Sequence, residues 1–144
     1  MTFRTALAAT AATLALSGCA TMTASHPLTG TEWTLVAMDT SGSTTTLTAS
    51  LQQRHTVSFG KDGEMTLQLD CNRGQSTWTA GQAMNGAGTI AIGPVASTRM
   101  ACPEPSFGTD LARLSEATRY TRTLDGRQLA IETPTLRYTF APAT

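Results

Sequence analysis

The stretch "MTLQLDC", residues 65–71, places Met65, Leu67, Leu69 and Cys71 at every second position. Side chains on an extended chain point alternately to opposite faces, so a period of two marks a strand with one apolar face. Val57 and Phe59 carry the same period just upstream, and "GKDG" at 60–63 separates the two runs. Together they predict a β-hairpin whose second strand turns Cys71 inward and sets Thr66, Gln68 and Asp70 on the opposite face.

Short strands recur along most of the chain. Trp33, Leu35 and Ala37 alternate with Thr34, Val36 and Met38 in a first strand close to buried on both faces. Trp78 lies on a short strand between the turn-rich stretches "NRGQ" (72–75) and "AGQAMNGAG" (80–88), and Ile90 and Ile92 mark another. Tyr120 to Leu124 and Gln128 to Ile131 flank Asp125-Gly126, a hairpin signal, and Leu136, Tyr138 and Phe140 alternate in a last strand. "TSGSTTTLTAS" (40–50) is polar and reads as a loop with nothing to bury. Only between Pro105 and Tyr120 does the period change: Phe107, Leu111, Leu114 and Thr118 recur at helical spacing, with Ser106 or Thr109 placed to cap the start. Short strands with one helix predict a mainly β fold (α+β), a curved antiparallel sheet or open barrel with the helix covering an open end or face.

The first residues read differently. Met1 to Gly18 carries one basic side chain, Arg4, then an uncharged Ala/Leu/Thr run over 5–16. That run is too short for a membrane span and matches the apolar core of a secretory signal. Leu16-Ser17-Gly18-Cys19 resembles the bacterial lipobox, which requires small side chains before a cysteine that receives a diacylglyceryl group. The resemblance implies removal of residues 1–18 and lipidation of Cys19, with the acyl chains holding the protein on a membrane. Ala20 after the cysteine resembles lipoproteins sorted to the outer membrane, facing the periplasm. "ATMTASHP" (20–27) is small and polar, so 19–27 reads as a lipidated N-terminus and tether, His26 as a solvated linker residue, and 28–144 as the domain.

Ten basic side chains balance ten acidic ones, and loss of Arg4 with the leader leaves nine against ten. Such a chain offers no basic stripe for phosphates, so nucleic acid is not an expected partner. The remaining cysteines, Cys71 and Cys102, are 31 positions apart and would be exported to an oxidising compartment, which favours a disulfide. Two alternatives stand beside it: a Cys–His nucleophile built with His55, and a zinc site, for which two cysteines and one histidine supply only three ligands. No cofactor motif is present in the sequence.

The mature chain also resembles the META domain (META/HslJ-like) group of small secreted or lipid-anchored bacterial domains. Leu28, Gly30, Trp33 and Leu35 match its opening L-x-G-x-x-W-x-L pattern, Cys71-Asn72-Arg73 its central motif, and Thr98-Arg99-Met100-Ala101-Cys102-Pro103 its T-x-M-x-C segment. Asp70 stands where many members have glycine before the cysteine; aspartate there suggests an ordinary strand residue or an acceptor for a nearby arginine. The resemblance implies a compact β-rich fold with a helix and a loose association with envelope stress, and it implies no reaction. Asp70, Asn72, Arg73, Arg99 and Glu104 cluster around the two cysteines in sequence and offer a candidate recognition surface for a peptide or envelope protein, the less favoured of two readings. The competing reading has Asn72 closing a turn and Asp70 pairing with Arg99 at the surface.

The expected function is a non-enzymatic, membrane-tethered binding or envelope-maintenance module. The alternatives are a lipocalin-like carrier with an apolar ligand between Trp33, Trp78 and Phe140, and a thiol enzyme or redox sensor.

Overall fold

The computed structural model describes residues 24–144. Residues 1–18, expected from the sequence to be a signal, Cys19, and the first part of the stretch expected to be a tether lie outside the described residues.

Strands β1 (Glu32–Thr40), β3 (His55–Phe59), β4 (Glu64–Leu69), β5 (Asn72–Ala80), β6 (Ala87–Ile92), β8 (Arg119–Arg122), β9 (Leu129–Glu132) and β10 (Arg137–Pro142) pair antiparallel around a ring. The ring closes where β10 pairs with β1 from Trp33↔Pro142 to Asp39↔Arg137. The barrel is therefore shut, where the sequence suggested a curved sheet or an open barrel. A bulge between Leu35 and Ala37 adds a residue to β1, and bulges bend and twist a strand in the way closure requires. The bulge also breaks the alternation read for this strand, so that Trp33, Leu35 and Met38 are the buried positions.

Two short strands lie outside the ring: β2 (Ser43–Thr46) extends the far half of β1, and β7 (Ala96–Ser97) pairs with β5 at Gly74 and Gln75. The stretch read as a loop at 40–50 thus contains a hairpin. It is followed by Leu47, which is buried, and by α1 (Ala49–Gln52), which buries Leu51. The helix expected over 105–120 is one turn, α2 (Gly108–Ala112), continued by a 3-10 turn from Arg113 to Glu116. Neither Ser106 nor Thr109 caps it; Phe107 holds the N-cap position, with no side-chain cap. Ala117 returns to extended geometry, and Thr118 N–H donates to Glu132 O at 2.9 Å, so pairing along the barrel wall ends the helix early.

The strand directions give the barrel two ends. Phe59, Glu64, Ala80, Ala87, Arg122 and Leu129 lie at one end, together with the chain entering at Leu28. The other carries both short helices, the start of β5 and the two cysteines. His55 ties that second end together. Its Nδ1 donates to Leu51 O of α1 at 2.6 Å, and its Nε2 accepts from Phe107 N–H at 3.1 Å before α2. Those partners, one able only to accept and one only to donate, require the neutral Nδ1–H tautomer.

The interior is filled by inward side chains. Trp33, Leu35, Ile131, Tyr138 and Phe140 are 0% exposed. An eight-stranded barrel is just wide enough for its own side chains to fill it.

Candidate functional site

Cys71 and Cys102 form a disulfide with Cα atoms 5.6 Å apart, inside the range a bridge requires. The bridge pins the loop that follows β7 to the start of β5. Asn72 fastens the same loop from the side. Its Oδ1 accepts from Met100 N–H at 2.7 Å and from Thr98 Oγ1 at 3.0 Å, and its Nδ2 donates to Met100 O at 2.9 Å. Arg73 and Thr98 complete the seam, with Thr98 N–H donating to Arg73 O and Arg73 N–H donating to Thr98 Oγ1.

The segment 98–102 is thereby held on the barrel without being buried. Arg99 is exposed, and Met100 is 60% exposed, one of three large apolar side chains so placed among the described residues. Between this loop and α2 runs an open groove of about 770 Å³, lined by Leu69, Val95, Asn72, Arg99, Met100 and Glu104 among others. Glu104 receives Ser106 N–H at 3.1 Å. Arg99 forms no hydrogen bond or ion pair among the described residues. Gly108 lets α2 form the opposite wall: a Cβ there would sit 2.6 Å from Leu69 O, too close for any other residue.

Of the five residues expected to converge, three do: Asn72, Arg99 and Glu104 line this groove. Arg73 is exposed and faces a separate surface hollow with Glu32 and Gln68. Asp70 is turned inside. It is 2% exposed, takes φ +62°, and bonds Arg54 rather than Arg99. The period of two read from "MTLQLDC" therefore ends at Leu69, and Cys71 sits half-buried at the rim instead of pointing into the barrel. Asp70 adopts a left-handed conformation, which glycine takes at less cost than a residue with a Cβ. Its carboxylate accepts from Arg54, and its N–H donates to Arg54 O at 2.7 Å.

His26 is also misplaced by the sequence reading. Instead of floating in a linker it packs edge-on against Trp78 and Tyr120, at centroid distances of 5.4 and 5.5 Å, and bonds Gly81 O and the Tyr120 hydroxyl. The sequence offered one signal, a histidine just before the L-x-G-x-x-W pattern, but its partners lie 55 and 94 positions away.

A closed antiparallel β-barrel with a disulfide-braced surface loop is the class these features define. The META domain model matches residues 26–144, and the chain belongs to the META domain family. The match begins at the histidine that the structure joins to the barrel. Among solved structures, a DUF4847 family protein from Bacteroides vulgatus is similar, with 15% identity and a TM-score of 0.53 over 79% of this chain and 93% of that one. That likeness concerns the fold alone. No curated protein matches the chain.

Proposed function

We propose that this META domain is a non-enzymatic, lipid-anchored binding module of the bacterial cell envelope, held by an acylated Cys19 at the outer membrane, and that its recognition site is the groove at the disulfide end of the barrel. The observation that carries the reading is a rigid loop that exposes its side chains. Arg99 and Met100 project from a segment fixed by the Cys71–Cys102 bridge and by Asn72. A prepared surface loses little entropy on binding, and arginine and methionine are enriched at protein interfaces. The ligand class this surface fits is a peptide or envelope protein that offers an acidic group to Arg99 and an apolar side chain to Met100.

A photo-crosslinking residue at position 100, introduced in cells expressing the full chain, tests the reading. A discrete adduct that disappears with Arg99→Glu, and is absent when the crosslinker stands at Ser41, supports it; equal labelling from both positions contradicts it.

The carrier reading draws less support. Trp33 and Phe140 are 0% exposed and Trp78 is 7% exposed, so no space that a water could enter touches the first two rings, whereas a ligand chamber between the three would be lined by such contacts. The thiol reading requires a free thiolate, and the disulfide leaves none at Cys71 or Cys102.

A further inference from the structure

We infer that the barrel stands end-on on the lipid bilayer, with Met84 and Leu124 inserted into the interface and the Arg99–Met100 groove facing away from it. The inference rests on the lipid anchor proposed above and goes beyond it by assigning the surface that meets the membrane.

Three observations converge on one end of the barrel. The first is where the described chain begins. His26 is bonded to Gly81 O and to Tyr120, so the tether leaves the domain beside the β5–β6 loop. From Cys19 to His26 is seven residues, a leash of at most about 25 Å when fully extended.

The second is the placement of apolar side chains. Met84 is 80% exposed and Leu124 is 88% exposed, and with Met100 they are the large apolar residues left in solvent among the described residues. Met84 lies in the β5–β6 loop and Leu124 in the β8–β9 loop. The two loops touch: Arg122 N–H donates to Gly86 O at 2.7 Å, and a Cβ at Gly86 would lie 4.0 Å from Leu124 Cδ2. Two apolar tips on adjoining loops at the tethered end form a small apolar surface that a lipid interface would bury.

The third is the position of the groove. Strand β5 starts at Asn72, in the groove, and ends at Ala80, next to His26's acceptor Gly81. Eight steps of strand put the groove roughly 26 Å from the tethered end. Lys61, Arg122 and Arg127 at that end are offset by Asp62, Glu64 and Asp125, so apolar insertion rather than attraction to anionic lipid sets the contact.

The test uses the full chain, made with its own signal, extracted and reconstituted into phosphatidylethanolamine–phosphatidylglycerol vesicles that contain brominated lipid. Met84→Cys, Leu124→Cys and Ser41→Cys variants each carry a fluorophore; Ser41 lies in the β1–β2 turn at the opposite end. The expected result is at least threefold stronger quenching by brominated lipid at positions 84 and 124 than at 41, unchanged when phosphatidylglycerol is replaced by a neutral lipid. Protein that floats with the vesicles but quenches equally at all three positions overturns the orientation and leaves the anchor standing. Protein that does not float overturns both. Equal weak quenching with concentration-dependent self-association would assign the apolar tips to a second copy of the chain and also overturn the proposal.

Discussion

The carboxamide of Asn72 holds both backbone groups of Met100, accepting from its N–H at 2.7 Å and donating to its carbonyl at 2.9 Å. One side chain thus substitutes for a neighbouring strand beside a loop that has none. The geometry needs a donor and an acceptor on the same planar group. Asn72→Asp replaces the donor with a second acceptor facing Met100 O, and should cost about 1–3 kcal/mol, chiefly as local opening of the loop. Limited proteolysis should show faster cleavage within 98–102 while the midpoint of global unfolding moves little. An unchanged cleavage rate would remove Asn72 from this role.

The bridge beside it closes a 31-residue separation. Chain-entropy arguments give such a loop roughly 3–4 kcal/mol of stabilisation, a large share of what a domain of this size has. The Cys71→Ser/Cys102→Ser double variant should therefore unfold at distinctly lower urea, with its β-sheet circular dichroism retained before the transition.

Asp70 separates two effects that are ordinarily confounded. Its φ of +62° costs any residue with a Cβ, and its carboxylate pairs with Arg54. Asp70→Gly relieves the first and loses the second; Asp70→Ala loses the pair and keeps the strain. The alanine variant should be less stable than the glycine variant by about 1 kcal/mol in urea titrations, the usual cost of left-handed backbone at a residue with a Cβ. Equal stabilities would mean that the ion pair alone explains the residue.

These elements also show how far the sequence could be read. The period of two in Met65, Leu67 and Leu69 and the alternation of Leu136, Tyr138 and Phe140 announced the barrel strands correctly, because each strand has one face in the core. The convergence of Asn72, Arg99 and Glu104 followed from the cysteine pairing. Asp70 does accept from a nearby arginine, Arg54, as its residue type suggests, but it faces inward because alternation assumes extended backbone and a single left-handed residue reverses the side chain. His26 and the hairpin at 43–46 were missed because their partners come from elsewhere: Tyr120 and Gly81 for the histidine, and β1 for a strand of four polar residues. The closing pair of β1 and β10 contains a bulge at Leu35/Ala37, which local periodicity does not encode.

Burial pushes the Tyr138 phenol up from its ordinary value of 10.0, and its hydroxyl donates to Asp110 O at 2.7 Å. A raised value in the folded state means that the unfolded chain loses this proton first. Stability from this group is therefore full below pH 10 and falls as pH rises above it. Unfolding midpoints should drop above pH 10, and less steeply in Tyr138→Phe, which at neutral pH should be weaker by about 1 kcal/mol for the lost hydrogen bond. Identical alkaline slopes in the two proteins would reassign the effect to other groups.

The outward groove and the end-on stance both require a disulfide-braced barrel carried on an acylated Cys19. Intact mass of membrane-extracted protein, expressed with its own signal and alkylated without reduction, tests it most directly. The predicted result is a chain that begins at Cys19, carries the mass of acyl chains and contains no alkylated thiol. An unlipidated chain would contradict the anchor, and one alkylated at Cys71 or Cys102 would contradict the bridge.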